Sequence, residues 1–436
     1  MERILPLKAL RYNKNFIGDI GAVLAPPYDV ISAKQQQSLY NSHPFNVVRL
    51  ECGMENDGDS ETDNKYTRSA ETLDEWTLSG VIVPDRQPAI YVYHQEYTAV
   101  DGENRVCKGI VCLVRLDDFE IGTVLPHEET GAKAKSDRLK LLGECGVNFS
   151  PVFGLYRDDE KTVDTAFEEA LQNPPDTFAK TIDGASQKVW TVTDEETAGK
   201  IQQLLADKQI IIADGHHRYE AALKYRDMMI EINPDHTGEE PYNYVMMYLA
   251  EMNQPGFEMF ATHRLVRNVV GYSEAGVISQ LEKSFNITKL FAEEIETAIS
   301  EKLAENNDIP TFAMYTGKDY YYLLRLKDFS FADAEGEGKS VALRHLDVTV
   351  LHSLILGKAF GVSEAELKKQ DYLSFTRNIE EAAQNVKNGD FQCAFMINPT
   401  KMQEIFEISL NGEKMPQKST WISPKPKTGL VMNKIN

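Results

Sequence analysis

The stretch Ile210–Arg226, IIIADGHHRYEAALKYR, joins three kinds of sequence in one line. Ile210 to Ala213 are apolar and mostly β-branched, the pattern of a short strand buried on both faces. From His217 the residues are helix formers, with no breaker before Asn233-Pro234. Between them lies Asp214-Gly215-His216-His217-Arg218, in which Gly215 permits a sharp turn. A strand, a turn and a helix in this order predict a mixed α/β fold. A helix that opens near Gly215 or His216 points unbonded N–H groups and a partial positive charge into the turn. Such an end binds anions without help from any side chain. Two imidazoles and a guanidinium add donors for phosphate oxygens. Asp214, at the end of the strand, can hold a magnesium ion or cap the helix. The plainer alternative is a polar turn in which Asp214 only caps and the histidines are only exposed. A zinc pair at His216 and His217 is disfavoured, because adjacent helical residues diverge by about 100° and helical zinc pairs sit four apart.

Outward from this stretch the same alternation continues. Upstream, AIYVYHQEYTA alternates as a strand, DGEN (Asp101 to Asn104) is a hairpin turn signal, and VCKGIVCLVRL returns as the partner strand. A helix is predicted from about Ala134, with Leu139, Leu141 and Leu142 on its buried side, and SPVFGLY follows as a buried strand. Downstream, YNYVMMYLAEM reads as another buried strand and VLHSLILGKAF as a helix. These patterns predict an α+β (mixed α/β) chain in three parts: an N-terminal region over 1–87, a core over 88–235 and a C-terminal α/β domain over 236–436.

Composition narrows the chemistry. The chain has 436 residues, of which 42% are hydrophobic and 26% charged, as in ordinary globular proteins. No run approaches the roughly 18 apolar residues of a spanning helix. The opening MERILPLKALRYNKNF does not read as a signal peptide. Five scattered cysteines without a CxxC pair predict reduced thiols and a cytoplasmic location. The net charge of −21, with no Lys/Arg cluster, argues against nucleic acid and membrane surfaces as partners. A small polar ligand fits better, and a metal ion can bridge an anionic ligand to so acidic a protein. Nothing in the sequence fixes an oligomeric state.

Other stretches carry candidate groups. In LPHEETGAKAKSDR, Glu128 and Glu129 lie in a loop just before a helix, where a carboxylate can act as general base on a hydroxyl. Lys133, Lys135 and Arg138 follow and can meet phosphate. APPYDVI places Tyr28 and Asp29 beside a rigid Pro-Pro turn. ATHRLVRN contributes His263 and Arg264, and GEKMPQKSTWISPKP contributes Lys418, Ser419, Thr420 and Lys425. The latter lacks GxxxxGK[ST] and is not a P-loop. Neither GxSxG, GxGxxG nor a kinase HRD…DFG set occurs.

Taken in order, APPYDVI, PHEET…DRL, IADGHHRYEAAL, THRLV and MPQKST…PK…GL resemble a large prokaryotic family of unknown function, essentially end to end. The HE motif before a helix, followed by a strand and DGHHR, is more distantly similar to the ParB/sulfiredoxin-like fold. Within it the likeness is to free serine kinases, which convert L-serine to O-phosphoserine. This resemblance implies a ParB/sulfiredoxin-like core with N- and C-terminal elaborations. It implies a nucleotide-dependent phosphotransferase using ATP or ADP and Mg2+ on a small hydroxylated metabolite. Glu128 matches the base, Asp214 the metal-binding and catalytic aspartate, and Gly215, His216, His217 and Arg218 the phosphate turn, with His217 also catalytic. Lys418 is added as a nucleotide contact. Glu129 and Glu96 are alternatives for the base, because the HE and DGHHR motifs are further apart here than in the small kinases. No cysteine lies in the turn, against sulfiredoxin chemistry. A non-catalytic nucleotide-binding protein and a metal-dependent phosphohydrolase remain as competing expectations.

Overall fold

The computed structural model describes residues 2–368 and 371–435. They form two compact units. The first comprises residues 1–126, 130–258 and 424–436, and the second residues 127–129 and 259–423.

The first unit is built on a nine-stranded mixed sheet. Its strands are β1 (Ile4–Leu5), β2 (Ile90–Thr98), β3 (Asn104–Arg115), β4 (Val124–Leu125), β5 (Val152–Tyr156), β6 (Thr177–Lys180), β7 (Ser186–Val192), β8 (Ile210–Asp214) and β9 (Tyr244–Glu251). The order is β4-β8-β5-β9-β3-β2-β7-β6, and β1 pairs with β3. β2 and β3 form the hairpin expected around DGEN, with Tyr91 opposite Val111 and Thr98 opposite Asn104. The pairs β8–β4 and β9–β5 are parallel, the others antiparallel. Every residue of β8 and of β9 is buried, which is why both read as unbroken apolar runs rather than alternations. Helices α1 (Lys65–Leu78), α2 (Ala132–Cys145), α3 (Glu195–Leu205) and α4 (His216–Ile232) accompany the sheet, and α2 packs on α4. The core includes Ile110, Val152, Ile201, Ile212, Tyr219 and Leu249.

The boundaries expected at residues 87 and 235 do not coincide with these units. β1 is paired to β3 through Ile4 and Val114, which ties the N-terminus into the sheet. β9 lies between β5 and β3, so the strand expected to start a C-terminal domain is central to the first one. Residues 424–436 also return to this unit.

The second unit holds a six-stranded sheet of β10 (His263–Val266), β11 (Phe285–Phe291), β12 (Thr311–Tyr315), β13 (Tyr320–Leu326), β14 (Leu373–Thr376) and β15 (Cys393–Ile397). The order is β11-β13-β12-β15-β10-β14, antiparallel throughout. Its helices include α5 (Glu274–Leu281), α6 (Ile295–Glu305), α7 (Leu351–Ala359), α8 (Ile379–Lys387) and α9 (Met402–Leu410). VLHSLILGKAF is helical as its pattern predicts, but α7 is wound as a π-helix. Both units mix helices with sheets, as the alternation of patterns predicts. No described helix is long and apolar enough to cross a membrane.

Gly154 shows how closely β5 is approached. A Cβ built there lies 2.6 Å from Ile210 Cγ2 and 2.8 Å from Leu249 Cδ2. The Gly154→Ala protein is therefore expected to lose about 1–3 kcal/mol of stability to overpacking. Chemical denaturation measures it, and an unchanged midpoint contradicts the close fit.

Candidate functional site

The turn after β8 is made by Gly215 at φ +90°, a left-handed conformation that glycine adopts without strain. A side chain there has no room either, because a Cβ lies 2.8 Å from Arg218 Nη2. Gly215 is the N-cap of α4 and offers no side chain to the N–H groups of the first turn.

Asp214 is buried at the end of β8. Its Oδ2 accepts from Arg218 Nη2 at 2.6 Å, and Lys425 Nζ donates to its Oδ1. One carboxylate between two cations leaves the cluster net positive, and the N-terminal end of α4 adds to that. Arg218 does not extend a free fork toward a ligand. Its Nη1 donates to Ser150 Oγ at 2.9 Å and to the Pro151 carbonyl at 2.6 Å, so it fastens the turn to the start of β5.

Ser150 in turn donates to Glu51 Oε1 at 3.0 Å, and the same oxygen meets Arg138 Nη1 at 3.2 Å. The Arg138 guanidinium lies over the Tyr28 ring, 3.8 Å from its centroid. Burial pushes the Glu51 carboxyl up, while Arg138, Arg218 and Ser150 pull against it. Arg138 lies on the buried stripe of α2 with Leu141, Leu142 and Cys145, and Leu139 is only half-buried. Arg138, expected to meet phosphate, is thus engaged by Glu51 and Asp137, and Leu139, expected on the buried side with Leu141 and Leu142, is less buried than they are. A guanidinium can occupy that stripe because Glu51, Asp137 and the Tyr28 face receive it.

His216 is buried. The Gly131 N–H donates to His217 Nε2 at 3.2 Å, which leaves Nδ1 as the donor nitrogen of that ring. Thr130 Oγ1 donates to Glu220 at 2.8 Å, and Lys135 pairs with Glu220 at 2.8 Å. The residues directly after Glu129 are thus bound to α4.

His127, Glu128 and Glu129 belong to the second unit. There the Glu128 Oε1 accepts from the Ser419 N–H at 3.0 Å and from the Thr420 N–H and hydroxyl at 3.3 Å. His127 Nε2 and Thr420 Oγ1 are 2.7 Å apart. Arg264 is fully buried beside them and donates to the Lys418 carbonyl at 3.0 Å. Burial lowers the Arg264 pKa, and the charge of Glu128 opposes that shift. Lys418 itself is exposed, with φ +58°. Lys418 and Glu128 therefore share one cluster in the second unit. Asp214, Gly215, His216, His217 and Arg218 share another in the first, together with Lys425. Glu96 pairs with Lys188 on neighbouring strands β2 and β7. Among the described residues no group of three His, Cys, Asp or Glu side chains could hold a metal by itself. Glu51 and Ser150 carry no motif of their own, and only the long-range fold reveals them.

Two outcomes follow from burial. Arg138→Met strips Glu51 of its cation and is expected to cost about 3–5 kcal/mol, with much of it recovered in Arg138→Met/Glu51→Leu. Denaturant titration of the double-mutant cycle checks this, and additive losses contradict it. His263 is buried, its Nδ1 accepts from the Ile397 N–H at 3.3 Å, and burial followed by the Arg264 charge lowers its pKa from 6.5 to about 4. The unfolded ring takes up a proton below 6.5 and the folded one only near 4, so stability present above pH 6.5 falls as pH drops toward 4. The melting-temperature advantage of wild type over His263→Gln should shrink across that window. A constant difference contradicts the assignment.

The family described as "Protein of unknown function (DUF1015)" matches residues 4–349. No curated protein matches the chain significantly. Among solved structures, a conserved hypothetical protein from Pyrococcus furiosus is 14% identical, with 73% of this chain and 93% of that chain covered and a TM-score of 0.35. A variant free serine kinase in complex with ADP is 12% identical, with coverage of 74% and 92% and a TM-score of 0.38. SbnI with a C-terminal truncation, from Staphylococcus aureus, is 11% identical, with coverage of 72% and 82% and a TM-score of 0.35. With most of its length matched by that family, the chain belongs to the DUF1015 family.

Proposed function

We propose that this protein is a nucleotide-dependent phosphotransferase acting on a small hydroxylated metabolite, with free L-serine as the acceptor and O-phosphoserine as the product. The observation that carries the reading is the turn after β8. It combines a left-handed glycine, a helix end without a side-chain cap and a net positive cluster of Asp214, Arg218 and Lys425. Oriented N–H groups at a helix start and a local excess of cations favour a polyphosphate. The likeness of the HE and DGHHR motifs to free serine kinases supplies the acceptor.

In this reading the N–H groups of His216 to Arg218 and the Nδ1–H of His217 hold the polyphosphate of ATP or ADP. Arg218 is a positioning residue, since both its Nη nitrogens are engaged by Asp214, Ser150 and Pro151. Lys425 donates to Asp214 Oδ1 and is the group that exchanges between that carboxylate and a phosphate oxygen. A nucleotide-borne Mg2+ keeps water and phosphate as its other ligands and needs one protein carboxylate, which Asp214 would supply as Lys425 leaves its Oδ1 for a phosphate oxygen. When bound, the ion supplies neutralisation of phosphate charge. Asp214 is the residue that would hold it. Glu128 deprotonates or orients the acceptor hydroxyl, and charge neutralisation with positioning supplies most of the rate.

The test is incubation of purified protein with serine, ATP or ADP and Mg2+, with O-phosphoserine read by mass spectrometry. Glu128→Gln is expected to lower turnover about 100-fold or more while nucleotide affinity holds. Lys425→Met and Asp214→Asn are expected to weaken nucleotide binding about tenfold. Absence of turnover with any small alcohol, and of any effect of Glu128→Gln, overturns the kinase reading. One observation favours a second reading, nucleotide binding without catalysis: Glu128 Oε1 is engaged by the Ser419 and Thr420 loop. Calorimetry that shows binding without turnover supports that reading.

A further inference from the structure

The second unit contains a cavity of about 450 Å³, a size typical of small-ligand sites. It lies among α7, β14 and the segment Lys414–Gln417. Leu343, Val362, Leu367, Leu373, Phe375 and Met415 form its apolar wall. Polar groups are few and specific. His352 on α7 and Thr349 just before it both line the space. The His352 Nε2 and the Thr349 Oγ1 are shielded from solvent and meet no partner within the protein. Leaving such atoms unpaired costs about 1–3 kcal/mol each, and both belong to side chains of the cavity wall. Burial, then the Arg264 charge, lowers the His352 pKa from 6.5 to about 3, so the ring is neutral at physiological pH. A neutral imidazole can donate or accept.

α7 is π-helical along this wall. Wide turns of that kind recur at functional sites because they displace side chains from the regular helical grid. Lys339 and Lys414 line the cavity from exposed positions, and Glu129 is the one carboxylate among its described lining residues. Among the described lining residues two ammonium groups thus stand against one carboxylate, in a chain of net charge −21.

We infer that this cavity binds a small amphipathic organic anion, an apolar or aromatic body carrying an acidic group. The acidic group lies toward Lys339 and Lys414, the apolar body lies on Leu343, Leu373 and Phe375, and a polar group of the ligand pairs with His352 and Thr349. The test of this site does not depend on kinase activity.

The probe is 1-anilinonaphthalene-8-sulfonate, an aromatic anion whose fluorescence rises in an apolar site. Folded wild-type protein is expected to bind it saturably at one site per chain. The double reversal Lys339→Glu/Lys414→Glu, in protein that circular dichroism shows to be folded, is expected to weaken that binding about tenfold or more, as reversing two charges at the site should. His352→Phe is a second variant, expected to weaken binding by removing a polar partner. The neutral 1-aminonaphthalene should keep its affinity for the charge-reversed protein. The inference is overturned if wild type shows no saturable site, if charge reversal leaves the anion's affinity unchanged, or if the neutral probe is lost in parallel with it.

Discussion

A carboxylate buried at the end of β8 needs positive charge close by, and much of the first unit is arranged to meet that need. Asp214 is held by Arg218 from its own helix and by Lys425 from the C-terminal segment. Removing an ion from water carries a penalty of several kcal/mol, which only close and well-paired partners offset. Arg218 cannot serve Asp214 alone, because its remaining donors must also be satisfied. Its Nη1 donates to Ser150 and to the Pro151 carbonyl, and Ser150 leads on to Glu51, Arg138 and Tyr28. APPYDVI, the DR of the HE segment, DGHHR and the lysine of the C-terminal PKP are therefore parts of one polar network. Their wide separation in the chain follows from a physical rule: buried charges recruit partners wherever the fold brings them.

The same rule organises the second unit around a different cation. Arg264 is fully buried, and Glu128 lies close enough to favour its charged form. Glu128 also gathers the Ser419 and Thr420 N–H groups, so the HE, THRLV and QKST segments meet there. A glutamate that orders a loop can still exchange those donors for a substrate hydroxyl, and this is the point on which the catalytic and binding-only readings divide.

How much of this was legible in the sequence depends on the range of the interaction. The strand, turn and helix of IIIADGHHRYEAALKYR are local, and each is where its pattern puts it. The hairpin at DGEN is local too. The place of Arg138 in the stripe with Leu141, Leu142 and Cys145 was not legible, because it is set by Glu51, far away in sequence. Lys418 and Lys425 are close in the sequence, and no local signal tells which one reaches Asp214. The expected boundary at residue 235 failed because strand order is a long-range property, and β9 was free to enter the middle of the sheet. The π-helical winding of α7 left no trace in an apolar pattern that suits any helix.

The central claim is that the first turn of α4 is a phosphate site. Hydrogen–deuterium exchange over Ile210–Arg226, with and without saturating ADP and Mg2+, tests it most directly. A phosphate bound at the N–H groups of His216 to Arg218 should slow their exchange more than that of the middle of α4. Unchanged exchange across this turn at a nucleotide concentration that saturates the protein contradicts the claim.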